Sequence, residues 1–199
     1  MAMNIPTLYK KDKKGRLIIG DFSIPELSLV NTWVLTEKIN GKDKKVTFIN
    51  QPRFKHVTNP AESFTLDKMV EEFSQVDEMV LIGTEPCHGE NWSFILSDVS
   101  IDGIWLDRDG VNDVASRFGV PAVPVLGRMS AEETVTLLLS KFNSLFDKNR
   151  TIDGVIGRTD PLLFMSDGNP LMFKLEYSDI EKRACIHLVD YMDKLFGRN

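Results

Sequence analysis

Trp33-Val34-Leu35-Thr36-Glu37-Lys38-Ile39-Asn40-Gly41 is an apolar run that delivers one lysine to a polar, glycine-containing turn. Aromatic and β-branched residues at its start favour an extended strand. Asn40-Gly41 is turn chemistry, and Lys42-Asp43-Lys44 continues it. The apolar pattern resumes in Lys45 to Asn50. Thr32 to Lys38 and Lys45 to Asn50 therefore read as a hairpin with Lys38 beside its turn.

Short strands continue on both sides of this stretch. Arg16 to Gly20, Glu78 to Thr84, Trp92 to Val99, Ile152 to Arg158 and Leu171 to Glu176 all carry strand patterns. Helical patterns lie between them. Leu66, Met69, Val70 and Phe73 form a stripe over Thr65 to Gln75, with Thr65 as N-cap. Asp109 to Phe118 is closed by Gly119, a C-cap signal. Ser130-Ala131-Glu132-Glu133 is a capping box opening a helix to about Leu145. Asp179 to Phe196 reads as a closing amphipathic helix, with Ile180, Ala184, Leu188, Tyr191 and Leu195 on one face. Gln51 to Ser63 reads as loop. The strands do not alternate strictly with helices, so the expected class is α+β with antiparallel sheets and flanking helices.

The chain has 199 residues, 42% hydrophobic and 27% charged, enough for a sizeable core in one soluble domain. Its net charge of −5 argues against a generally basic nucleic-acid-coating protein and leaves a local basic groove open. Cys87 and Cys185 make no disulfide framework, so a reducing cytoplasmic setting is expected. Their spacing to His56, His88 and His187 matches no usual zinc finger. No signal pattern opens the chain, and no apolar stretch approaches the ~20 residues that span a bilayer. No membrane association is expected.

Charged residues recur at defined places on these strands. Lys38 ends the first. Glu85 ends Met79 to Glu85, Asp98 interrupts Phe94 to Val99, Asp153-Gly154 opens Asp153 to Arg158, and Lys174 interrupts Leu171 to Glu176. A lone charge in a strand is usually solvated. The ordered set lysine, acid, acid, acid-glycine, lysine reads differently, because a lysine amine accepts a nucleotide from ATP only where its charge is managed and the phosphates are neutralised.

That order resembles the covalent nucleotidyltransferase superfamily of DNA and RNA ligases and mRNA capping enzymes, most closely its RNA ligase branch. Lys38-Ile39-Asn40-Gly41 is similar to the nucleophile motif. Leu81 to Glu85, Phe94 to Val99, Asp153 to Ile156 and Phe173 to Leu175 are similar to the later motifs, and the likeness covers about residues 30 to 180. The resemblance implies an ATP-grasp-like fold in a single domain, residues 1-199, ending in the helix over 179-196 without an OB barrel. It implies an ATP-dependent RNA ligase that forms lysyl-AMP on Lys38 and joins 5′-phosphate to 3′-hydroxyl ends. The ATP-binding set carried over is Glu37 at the adenine edge, Lys38, Asn40, Glu85 at the ribose, Asp98, Asp153, Ile156 as an apolar wall, and Lys174 at the phosphates. The resemblance implies Asp153 as the first candidate metal ligand, for Mg2+ or Mn2+. The implied partner is RNA or DNA, with a protein standing in for a missing second domain. Two alternatives remain: a minimal DNA ligase, and a degenerate non-catalytic nucleotide- or RNA-binding relative.

Four positions depart from the pattern. Asn40 replaces the commoner aspartate, Ser97 stands where an aromatic often stacks on adenine, Asp153 replaces glutamate, and Glu176 replaces a second lysine. A carboxylate repels a triphosphate, so Glu176 is expected to turn away or to need a bridging metal. Lys42 to Lys45 is a candidate contact for a phosphate backbone.

Overall fold

The computed structural model describes residues 5–59, 61–87 and 92–181. Along the chain come β1 (Tyr9–Lys11), β2 (Leu17–Phe22), a 3-10 turn (Pro25–Leu29), β3 (Trp33–Glu37), β4 (Gly41–Gln51), β5 (Phe54–Thr58), α1 (Leu66–Glu72), β6 (Glu78–Pro86), β7 (Ile95–Ile101), β8 (Ile104–Trp105), α2 (Arg108–Phe118), β9 (Val125–Met129), α3 (Ala131–Leu139), β10 (Gly154–Arg158), β11 (Met172–Glu176) and α4 (Tyr177–Glu181). The class is α+β, and the paired strands within the sheets run antiparallel. The chain forms two compact units. Ile39–Val123 builds the first, and segments on either side of it in sequence build the second.

The first unit is a five-stranded sheet in the order β5-β4-β6-β7-β8. Val46, Phe48, Met79, Leu81 and Val99 cover one buried patch with Phe64, Met69 and the α2 residues Val111, Val114, Ala115 and Phe118. Phe64 meets both Phe94 and Phe118 edge-on, at 5.0 and 4.9 Å between ring centroids. Helix α2 starts where the Asp107 carboxylate accepts the Gly110 N–H at 2.8 Å. It stops at Gly119, whose φ of 65° is the left-handed cap that glycine adopts at little cost. Helix α1 is capped by Thr65 as its sequence predicts.

The second unit holds the four-stranded sheet β11-β10-β3-β9 and the β1-β2 ribbon. Trp33 and Leu35 of β3, Val155 of β10, and Phe173 and Leu175 of β11 lie in one core with Leu27, Ala131, Val135 and Leu138. Trp33 meets Phe173 edge-on at 4.9 Å. The Ser130 capping box of α3 is complete: Glu133 N–H donates to the Ser130 hydroxyl at 3.1 Å, and Ser130 N–H donates to the Glu133 carboxylate at 2.7 Å.

Three local expectations need correction. β3 pairs with β9 and β10, whereas β4 pairs with β5 and β6, so Thr32 to Lys38 and Lys45 to Asn50 do not form a hairpin. All five β3 residues are buried, and a central strand needs a partner on each edge. Gly41 opens β4 instead of closing a turn, and a Cβ there would run into the Glu85 carbonyl oxygen and the Thr84 methyl. The real hairpin turns at Pro52-Arg53, and β5 occupies part of the expected loop. Helix α3 ends at Leu139, short of Leu145, because Lys141 takes a φ of 53° and the Ser144 hydroxyl accepts the Phe146 and Asp147 N–H groups, both at 3.0 Å. The closing helix begins at Tyr177. Its expected continuation to residue 196, with Cys185 and His187, lies outside the described residues.

Candidate active site

In the second unit the lysine-bearing motif and the two late motifs meet on neighbouring strands. Lys38 follows β3 directly, and its N–H donates to the Gly154 carbonyl at 2.9 Å, adding a rung beyond the β3–β10 ladder. Gly154 in turn stands opposite Glu176, so positions 38, 154 and 176 form one cross-strand row. The next row contains Thr36, Ile156 and Lys174. Period-2 alternation puts both rows on one face of the sheet. A side chain at Gly154 would collide with the Leu175 carbonyl oxygen, 2.5 Å from the position of its Cβ. Gly154 therefore serves close packing.

Lys38 and Glu176 make an ion pair, Nζ to Oε1 3.4 Å, with side chains 28% and 34% exposed. The expectation that Glu176 turns away is corrected, because its carboxylate turns toward the candidate nucleophile. The missed signal was strand parity: Glu176 lies two residues beyond Lys174 and shares its face. Asp153 lies just before β10. Its carbonyl accepts the Tyr177 N–H at 2.8 Å, while its carboxylate, 41% exposed, sits 3.8 Å from Arg150. A half-exposed carboxylate in a long ion pair with Arg150 could be shared with magnesium or manganese, which prefer one or two carboxylates with phosphate oxygens and water completing the shell.

Glu37 belongs to the opposite face. It is 3% exposed, and its carboxylate accepts the Leu145 N–H at 2.9 Å. The contact shown for this side chain is to the loop after α3. Glu37→Ala is expected to lower stability by about 1–3 kcal/mol in urea unfolding, because a buried acceptor disappears, and Glu37→Gln to lose less. Equal stability of the alanine variant and its parent would rule out this anchoring role.

The first unit carries Asn40, Glu85 and Asp98. The Asn40 carbonyl accepts the Cys87 N–H at 3.3 Å. Glu85 is hydrogen-bonded and ion-paired to Lys44. The Lys44 ammonium, with Lys42 adding a smaller pull, holds its carboxyl below the ordinary glutamate value. Asp98 is buried and bound to the Arg108 guanidinium at 2.5 Å, at the first residue of α2. The lysine-rich stretch read as turn is strand: Lys42, Asp43, Lys44 and Lys45 all belong to β4. Among the described residues no helix is long and apolar enough to cross a membrane.

No family model and no curated protein matches the chain. Solved structures of Naegleria gruberi RNA ligase share its fold. An arginine-to-alanine variant with ATP and Mn is 18% identical with a TM-score of 0.56, over 92% of this chain and 58% of that one. An apo aspartate-to-alanine variant is 19% identical with a TM-score of 0.53, over 89% and 58%. A glutamate-to-alanine variant with ATP and Mn is 19% identical with a TM-score of 0.53, over 90% and 60%. The chain thus spans about three fifths of the length of those structures.

Proposed function

We propose that the chain has the nucleotidyltransferase (ATP-grasp-like) fold and acts as an ATP-dependent RNA ligase through lysyl-AMP. The observation that carries this reading is Lys38 on one sheet face with Ile156 and Lys174, within a fold shared with an RNA ligase.

The Lys38 amine attacks the α-phosphorus of ATP. The N–P bond forms, the bond to the β-phosphate oxygen breaks, and pyrophosphate leaves. AMP then passes to a 5′-phosphate end, and a 3′-hydroxyl displaces it to seal the strand. Lys174 supplies positive charge to the phosphates, and Ile156 offers an apolar wall to adenine. Asp153 would hold a magnesium or manganese ion, whose charge would offset that of the triphosphate. Asn40, Glu85 and Asp98 take nucleotide-binding roles by resemblance alone. Glu37 belongs to that resemblance as well, although its buried carboxylate supports the loop at Leu145. The two-cysteine composition favours a cytoplasmic setting.

The Lys38–Glu176 ion pair favours one rival reading, a non-catalytic nucleotide-binding relative in which the lysine is a structural cation. A sealing assay decides between them. With ATP and magnesium, the purified chain is expected to join 5′-phosphorylated RNA to a 3′-hydroxyl strand, with RNA preferred over DNA in nicked and single-stranded form. Sealing of DNA alone would move the assignment to a DNA ligase. No sealing and no AMP on the protein would leave the binding relative.

A further inference from the structure

We propose, resting on the ligase reading, that Glu176 is the proton acceptor for Lys38 during AMP transfer. The two side chains come from β11 and from the end of β3, with β10 between them, so their backbones are separated by two strand spacings, about 9–10 Å. They meet because the middle position of the row is Gly154, which puts no side chain between them. The result is a carboxylate oxygen 3.4 Å from the nitrogen that reacts. Contacts of this length in an unliganded enzyme commonly tighten when substrate binds.

Proton balance gives the contact a purpose. A resting lysine is an ammonium, with a reference pKa of about 10.4. One proton leaves to solvent when the neutral amine forms. The amine then attacks, the N–P bond closes and the bond to pyrophosphate opens. Bond formation makes the nitrogen cationic and strongly acidic. At that point a carboxylate is a competent acceptor, and the second proton passes from Nζ to Glu176 Oε1. Glu176 returns it to solvent after pyrophosphate has left. A lysine at position 176 would supply charge to the phosphates and, as an ammonium, accept no proton.

The test uses the full chain, ATP labelled at the α-phosphate, magnesium and single-turnover conditions. Glu176→Gln is expected to slow AMP transfer about 10²-fold at saturating ATP, the lower end of general-base contributions. The ATP concentration for half-maximal rate stays unchanged or falls, since a repelling charge has gone. The reverse reaction, pyrophosphate added to the AMP-bearing protein, slows by the same factor. The parent is slower in D2O, and Glu176→Gln loses that sensitivity. Glu176→Asp keeps a carboxylate and retains most of the rate, which guards against a variant that simply misfolds. A Glu176→Gln protein as fast as its parent, or faster, overturns the proposal, because charge repulsion alone would produce that result. A parent that gains no AMP overturns the ligase reading itself, so the two failures are distinguishable.

Discussion

Purified protein incubated with ATP and magnesium gains the mass of one AMP, and Lys38→Ala protein gains none. Intact mass after denaturation measures this, since only a covalent bond survives unfolding. The expectation rests on where Lys38 stands. It follows a strand whose five residues are all buried, and its N–H is tied to Gly154, so its backbone is fixed while its side chain remains partly exposed. A nucleophile needs this combination of a rigid base and an accessible tip. The alanine variant removes the reacting nitrogen and leaves the apolar core untouched, so its melting temperature stays near that of the parent. Lys174 is the natural competitor, because it lies on the same face one row away. AMP retained by the Lys38→Ala protein, on Lys174 or elsewhere, would sink the assignment.

Local chemistry was legible in the sequence where it is self-contained. The Ser130–Glu133 box, the Gly119 cap and the Thr65 cap each satisfy backbone groups within one turn, and all three are found as read. Pairing was not legible. Asn40-Gly41 carries a strong hairpin signal, yet β3 is a central strand, and burial on both sides decides its partners over distances no short motif spans. The site divides in the same way. Residue types and their order pointed to Lys38, Glu85, Asp98, Asp153 and Lys174, the resemblance added Ile156, and register places Lys38, Asp153, Ile156 and Lys174 on adjoining strands or at their ends. Side-chain direction was the part that escaped. Glu37 lies next to Lys38 in sequence and therefore on the other face, where it is buried. Charge repulsion by a triphosphate suggests that Glu176 turns away, whereas in the structure its carboxylate is ion-paired with Lys38.

Asp153→Ala and Lys174→Ala should each retain the fold and lose about 10²–10³-fold in the rate of AMP transfer, the usual effect of deleting one preorganised electrostatic partner. Retained folding follows from exposure. Asp153 has a half-exposed carboxylate with only a 3.8 Å approach to Arg150, and its structural work is done by its carbonyl, which alanine keeps. Lys174 is a partly exposed strand residue whose N–H donates to the Pro6 carbonyl at 2.8 Å, again a backbone bond that the variant preserves. The two variants should separate on metal and nucleotide titrations. Loss of Asp153 weakens the site for the divalent ion, so raising magnesium or manganese recovers part of the rate. Loss of Lys174 removes a fixed positive charge from the phosphates, so half-maximal rate needs more ATP and extra metal restores little. Swapped behaviour would reverse the two roles. If both variants transfer AMP at the parental rate with parental metal dependence, chemistry does not take place at this end of the sheet, and the proton-acceptor role of Glu176 falls with it.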